Sequence, residues 1–172
     1  MATGLKLTLQ RIWWRHQARH PALQALLREP IQQRPFNASR YVVIDLETTA
    51  LQPTAGEIAS IAWVVIEQGA IHLNQSCYFH LALNREVGQS AVFHQLTDTD
   101  LEQGVNIKVA LEALLDALPN SILVFHNAQL DMGFINQAMR TLWGSPLLMP
   151  VVDTLQVERK RLLQRSAAIQ AG

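Results

Sequence analysis

Two carboxylates stand two positions apart in Tyr41-Val-Val-Ile-Asp45-Leu-Glu47-Thr-Thr49, directly behind an apolar run. Side chains at i and i+2 of a strand share a face. The pair therefore converges where the strand leaves the core, and paired carboxylates bind divalent cations well. A strand running into a polar turn uses the same residue types, so the dipeptide alone leaves both readings open. A third carboxylate, Asp131, follows the apolar stretch Ser121–Phe125 in His126-Asn127-Ala-Gln-Leu-Asp131. It falls in the first turn of a helix, where the macrodipole favours negative charge, and a plain helix-start acid is the alternative there. Three carboxylates facing one crevice repel one another and call for cations, one or two Mg²⁺ or Mn²⁺.

The elements that must position these residues follow from the hydrophobic pattern. Residues 41–46 read as a strand buried on both faces. Residues 57–67 and 70–83 read as two longer strands joined by a tight turn at Gln68-Gly69. Thr97 or Asp98 can cap a short helix at 100–103, and residues 105–118 form an amphipathic helix closed by Pro119. A strand at Ser121–Phe125, a helix over 129–142, a short strand at Val151-Val152 and a basic helix over 154–164 complete the order. Three strands, then helix, strand, helix, strand, helix, predict an α/β fold with a mixed sheet and helices on its faces. Sites in such sheets lie outside the carboxyl ends of central strands, which is where Asp45, Glu47 and the residues after Phe125 fall.

Ahead of this unit, residues 5–17 place Leu5, Leu9, Ile12 and Trp13 at helical spacing, with Arg11, Arg15 and Arg19 among the polar positions. Pro21 opens a second short helix over 22–29, and residues 30–39 read as a linker. The expected division is a basic helical extension, 1–38, and a main domain, 39–172. Trp13-Trp14 is expected to anchor the hairpin on that domain or on a partner. The competing reading, a mitochondrial transit peptide, is disfavoured by the near absence of serine before Ser39.

The composition bounds the rest. In 172 residues, 49% are hydrophobic and 16% charged, as in an ordinary globular chain. The longest apolar stretch, residues 61–66, is far too short to span a bilayer, so no membrane association is expected. A single cysteine, Cys77, excludes an internal disulfide or a cysteine zinc cluster and fits strand packing in the cytoplasm. The net charge of zero hides an uneven distribution. Residues 1–40 carry seven Lys/Arg against one acid, 41–157 three against twelve, and 158–172 four against one. An acidic middle meeting a polyanion needs cations, whereas basic ends can touch phosphates directly; solvated helix faces are the plainer reading of those ends.

Four blocks together carry a resemblance: Asp45-Leu-Glu47-Thr-Thr49, Phe93-His94-Gln-Leu-Thr-Asp98, His126-Asn127-Ala-Gln-Leu-Asp131 and Val151-Val-Asp153-Thr154. In order and spacing they resemble the DEDD 3′–5′ exonucleases, in the branch of the proofreading epsilon subunit of bacterial DNA polymerase III. The resemblance covers about residues 41–165. It implies a ribonuclease-H-like fold and two-metal hydrolysis at the 3′ end of single-stranded DNA, with a polymerase as a possible partner. Asp45, Glu47 and Asp131 would be catalytic metal ligands, and Leu46, Thr48, Thr49, His94 and Asn127 would contact the terminal nucleotide. His94 could equally cap or pack the turn at Thr97. His126 reads as a polar strand end and Asp153 as a helix-opening acid. In this family a final helix supplies a general-base histidine, with an aspartate five residues on. No histidine follows His126 and no acid follows Glu158, so the expectation is a fold without that last helix and a weak or inactive enzyme. A non-catalytic binding module of the same fold and a 3′–5′ exoribonuclease are the alternatives.

Overall fold

The apolar run ahead of the carboxylates forms β1, Arg40–Thr48, at the centre of a five-stranded sheet of order β3-β2-β1-β4-β5. The computed structural model describes residues 2–31, 34–83 and 104–170. β2 (Ile58–Glu67) pairs antiparallel with β1, and β3 (Ala70–His80) antiparallel with β2. Gln68 and Gly69 connect them with φ of 52° and 75°, the left-handed pair that suits a two-residue hairpin to the twist of its strands. β4 (Ser121–Phe125) and β5 (Val151–Asp153) add in parallel. The expected mixed sheet is present, three antiparallel strands and then parallel ones. β1 runs two residues past the apolar run, so both carboxylates lie inside the paired strand. β3 stops at His80, and Leu81 continues only as a single bridge to Val105.

Helices α1 (Ala2–Gln17), α2 (Pro21–Arg28), α3 (Ile107–Ala117), α4 (Ala128–Trp143) and α5 (Thr154–Gln170) fall where the periodicity put them. The start of α3 is set by Asn106, whose Oδ1 accepts from the Lys108 amide at 2.8 Å, two residues later than expected. The short helix expected at 100–103 lies outside the described residues. Alternation along the strands decides where the core sits. Val42 and Ile44 of β1, Trp63 and Val65 of β2 and Leu123 and Phe125 of β4 share one buried cluster with leucines of α3 and with Phe134, Ile135 and Met139 of α4. Each such side chain contributes about 1.5–3 kcal/mol relative to exposure. On the opposite face Val43, Val64, Ile122 and Val124 are only half-buried.

The N-terminal hairpin corrects one expectation. α1 turns its apolar positions outward: Leu9, Ile12 and Trp13 are 59%, 46% and 56% exposed, while Arg11 is 5% exposed. The guanidinium can take that inward place because its fork of donors meets three carbonyls, those of Leu148 at 3.0 Å and of Leu26 and Glu29 at 2.6 Å. Burial pushes its pKa down, and Glu29 opposes the shift. Leu23, Leu26 and Leu27 of α2 enter the main core. Of the tryptophan pair, Trp14 alone serves as the anchor, half-buried with Arg140 5.4 Å from its ring centroid. No described helix is long and apolar enough to cross a membrane.

Candidate active site

Register shapes the carboxylate end of the sheet. β4 pairs β1 only from Arg40↔Ser121 to Val43↔Val124, whereas β2 follows it as far as Thr48↔Ile58. β1 therefore outruns β4 and leaves a notch beside Asp45 and Glu47. Between Glu47 and Thr48 the pairing skips Ala59, a bulge of the kind that bends a strand and re-aims its side chains. Both carboxylates are exposed on one face of β1, as their spacing predicts.

The loop after β1 is held in place by its own polar groups. The Thr48 hydroxyl donates to the Ala50 carbonyl at 2.9 Å, and Thr49 Oγ1 accepts from the Glu57 amide at 2.8 Å. The Thr49 amide donates to the Glu57 carbonyl at 2.9 Å. A Cβ on Gly56 would lie 2.7 Å from that of Ala50, so the chain passes here only as glycine. Gln137 of α4 donates to the Pro53 carbonyl at 2.7 Å and fixes the loop from the other side. Thr48 and Thr49 are thus struts of this turn first. Thr49 keeps its hydroxyl proton, and Thr48 keeps lone pairs, for any further contact. Leu46 is half-buried against the core.

Across the notch the chain leaves β4 through a strained residue. Asn127, the N-cap of α4, adopts φ 78° and ψ 58°, a left-handed conformation that asparagine tolerates better than most residues. Its amide donates to Asp153 Oδ1 at 3.2 Å, and the same oxygen accepts from the amides of Leu155 at 3.0 Å and Gln156 at 3.4 Å. One carboxylate oxygen thereby caps α5 and ties down the turn that starts α4. The Thr154 hydroxyl donates to the Phe125 carbonyl at 3.1 Å, so it accepts from His126 Nδ1 at 3.0 Å. That bond puts the neutral ring's proton on Nδ1 and leaves Nε2 as its acceptor. His126, Asn127, Asp153 and Thr154 form a clasp over the ends of β4 and β5. Sequence reasoning reached the helix-opening role of Asp153 but missed the clasp. The available signal was Asp-Thr opening one helix while Asn, a left-handed-tolerant residue, opens the helix before it.

Asp131 sits in the first turn of α4 and is 6% exposed. Burial raises its carboxyl pKa most, Asp45 and then Asp153 add to the rise, and His126 opposes them, with the result at about 6. Desolvation and like charge thus disfavour the charged form at a helix start where the dipole alone would favour it. Among the described residues no Lys or Arg forms an ion pair with Asp45, Glu47 or Asp131. No three His, Cys, Asp or Glu side chains among the described residues stand close enough to hold one ion. Asp45 and Asp131 are coupled through charge, with Glu47 along the same strand. A carboxylate that burial drives toward protonation, coupled to a second and without a described counter-cation, has the donor chemistry of a divalent-cation site, since a cation can take the proton's place. His94 lies outside the described residues.

Comparison with known proteins gives a consistent result. A family model described as Exonuclease matches residues 42–169. A PolC-type DNA polymerase III of Thermotoga petrophila is 29% identical over 150 residues, spanning 87% of this chain and 11% of the relative. The DNA polymerase III subunit epsilon of Buchnera aphidicola is 31% identical over 135 residues, spanning 73% of this chain and 56% of the relative. The chain thus spans about half or less of the length of these curated relatives. Among solved structures, exonuclease I of E. coli in complex with a dA16 oligonucleotide superposes with a TM-score of 0.55 over 71% of this chain and 29% of that one. At 14% identity that likeness shows the fold alone.

Proposed function

The chain belongs to the exonuclease family, and from that premise we propose that it hydrolyses phosphodiester bonds at the 3′ end of single-stranded DNA with Mg²⁺ or Mn²⁺. The observation that carries this reading is the buried Asp131 carboxylate, raised to about 6 beside Asp45 and without a described counter-cation. Asp45, Glu47 and Asp131 would hold the cations. Bound there, divalent ions supply a water of lowered pKa and offset charge on the phosphate. The protein's own part is placement. Thr48 and Thr49 on the loop side and Asn127 on the clasp side would contact the terminal nucleotide, together with Leu46 and His94. Nε2 of His126 offers a proton acceptor whose orientation Thr154 fixes. The catalytic unit spans 39–172, with 1–38 a basic extension. A polymerase is the partner that the relatives' names favour, and the lone thiol Cys77 supports a cytoplasmic setting.

A 5′-labelled oligodeoxynucleotide incubated with the chain and increasing Mn²⁺ tests the proposal. A ladder shortening from the 3′ end, abolished by EDTA and by Asp45→Ala, is the expected result. Binding of the strand without cleavage, unchanged by Asp45→Ala, would instead make the chain a binding module. Preferential shortening of the matching RNA strand would make it an exoribonuclease.

A further inference from the structure

α1 presents an outward face that the fold does not use. Leu9, Ile12 and Trp13 are about half exposed at helical spacing, and His16 continues the same face. The Trp13 ring meets that of Trp14 edge-on, at 4.3 Å between centroids and 78° between planes. Trp14 in turn lies against the Arg140 guanidinium. Arg19 is exposed where α2 begins, with its amide donating to the Trp143 carbonyl at 2.8 Å and its guanidinium beside Gly144. An exposed indole on a basic surface is the kind of platform on which a nucleobase stacks while nearby cations neutralise its phosphates.

Charge says what such a surface would hold. Residues 1–28 contain no acid, and neither do residues 132–152. Between Asp131 and the hairpin, α4 itself therefore contributes Arg140 and no carboxylate. The nine residues from Asp131 to Arg140 span about 14 Å of helix. Two described acids border this face: Glu112, 3.7 Å from His20 on the α3 side, and Glu57, which shares a cavity with Gln137 and Thr141 of α4.

From this juxtaposition we propose that the exposed face of α1, centred on Trp13 with Arg19 and Arg140, is an accessory holding surface for single-stranded nucleic acid. It grips the strand several nucleotides upstream of the 3′ end that occupies the notch. The proposal rests on the reading of the chain as a nuclease for single strands and extends it to the N-terminal hairpin. It gives the hairpin a role in affinity for long strands and none in the chemistry.

The test compares Trp13→Ala, Trp13→Phe and Arg19→Glu with the unmodified chain on two substrates. One is a 30-nucleotide 5′-labelled oligonucleotide, and the other is a nitrophenyl ester of thymidine 5′-phosphate, which is too short to reach α1. Trp13→Ala should raise KM for the long strand about tenfold and Trp13→Phe should largely restore it. Arg19→Glu should flatten the salt dependence of strand binding. None of the three should change turnover of the ester. Fluorescence anisotropy of the labelled strand in EDTA reads binding without hydrolysis. Loss of anisotropy in Trp13→Ala with no cleavage by the unmodified chain would keep this surface and remove the nuclease reading. Unchanged KM and anisotropy in Trp13→Ala, or equal loss on both substrates, would overturn the proposal. So would binding of phosphatidylglycerol vesicles through Trp13 without binding of the strand.

Discussion

Arg11 and Asp131 are each taken almost wholly out of water, at 5% and 6% exposure, and the fold treats them in opposite ways. Arg11 ends on three carbonyls that gather α1, the end of α2 and the approach to β5 into one joint. Asp131 receives no described hydrogen bond or ion pair and faces other carboxylates instead. A buried charge with its partners supplied holds structure together. One left wanting a partner is held ready for something the chain itself does not contain. On the function proposed above, the hairpin pole serves stability and the notch chemistry, and the difference lies in partners, since burial is the same.

That contrast can be broken most decisively at the notch. If Asp45 is a cation ligand, Asp45→Ala should lower Mn²⁺-dependent cleavage at least ~100-fold, since loss of even an indirect supporting contact costs 10–100-fold. Melting should barely change, and an unaltered rate would refute the site. At the other pole, Arg11→Met should cost about 4 kcal/mol of stability by stranding buried carbonyls. Urea unfolding measures that loss, while the folded fraction keeps its turnover. Parallel losses of stability and rate in both variants would erase the distinction between the poles.

The sign of the Asp131 effect sharpens the comparison. Its folded pKa, about 6, exceeds an unfolded value near 4, so the folded chain binds more protons in that interval. Stability of the metal-free chain should therefore fall as pH rises from 4 to 6, with the penalty complete above 6. Asp131→Asn should abolish that slope and stabilise the chain at pH 7 by up to about 3 kcal/mol, while losing activity. Thermal melts in EDTA across this range decide it, and a less stable Asn variant at pH 7 would contradict it. In the clasp, Asp153→Ala should cost about 1–2 kcal/mol as a lost helix cap and slow cleavage roughly tenfold through the turn it ties. The smallest effect belongs to Asn127→Gly, which should gain a few tenths of a kcal/mol by relieving a positive φ. Weaker strand affinity alongside that gain would assign the Asn127 side chain to the substrate.

Legibility in the sequence followed the strength of local rules. The hairpin at Gln68-Gly69, the proline opening α2 and the short buried strand at Ser121–Phe125 are each fixed by residues near to hand, and all three were foreseen. Placing Asp45 and Glu47 at the end of β1 and Asp131 in the helix after β4 needed strand periodicity and topology together, and both placements are seen, whereas no three such side chains among the described residues close on one ion. Arg11 defeated the pattern, because periodicity ranks arginine as polar and cannot foresee carbonyls from the end of α2 and from Leu148 meeting it. The same error hid the outward face of Trp13. The clasp was illegible for a related reason: Asn127 and Asp153 are 26 residues apart, and only the parallel register of β4 and β5 brings them together.

The overhang of β1 beyond β4 has one more consequence. From Ile44 to Thr48, every second peptide group points away from β2 and toward a side where no described strand receives it. Anything settling into the notch is met there by main chain. Peptide groups that meet phosphate or sugar carry no sequence information and persist through every substitution but proline. For the strand proposed to bind there, recognition built on such contacts would be indifferent to its message and open to point mutation only through proline.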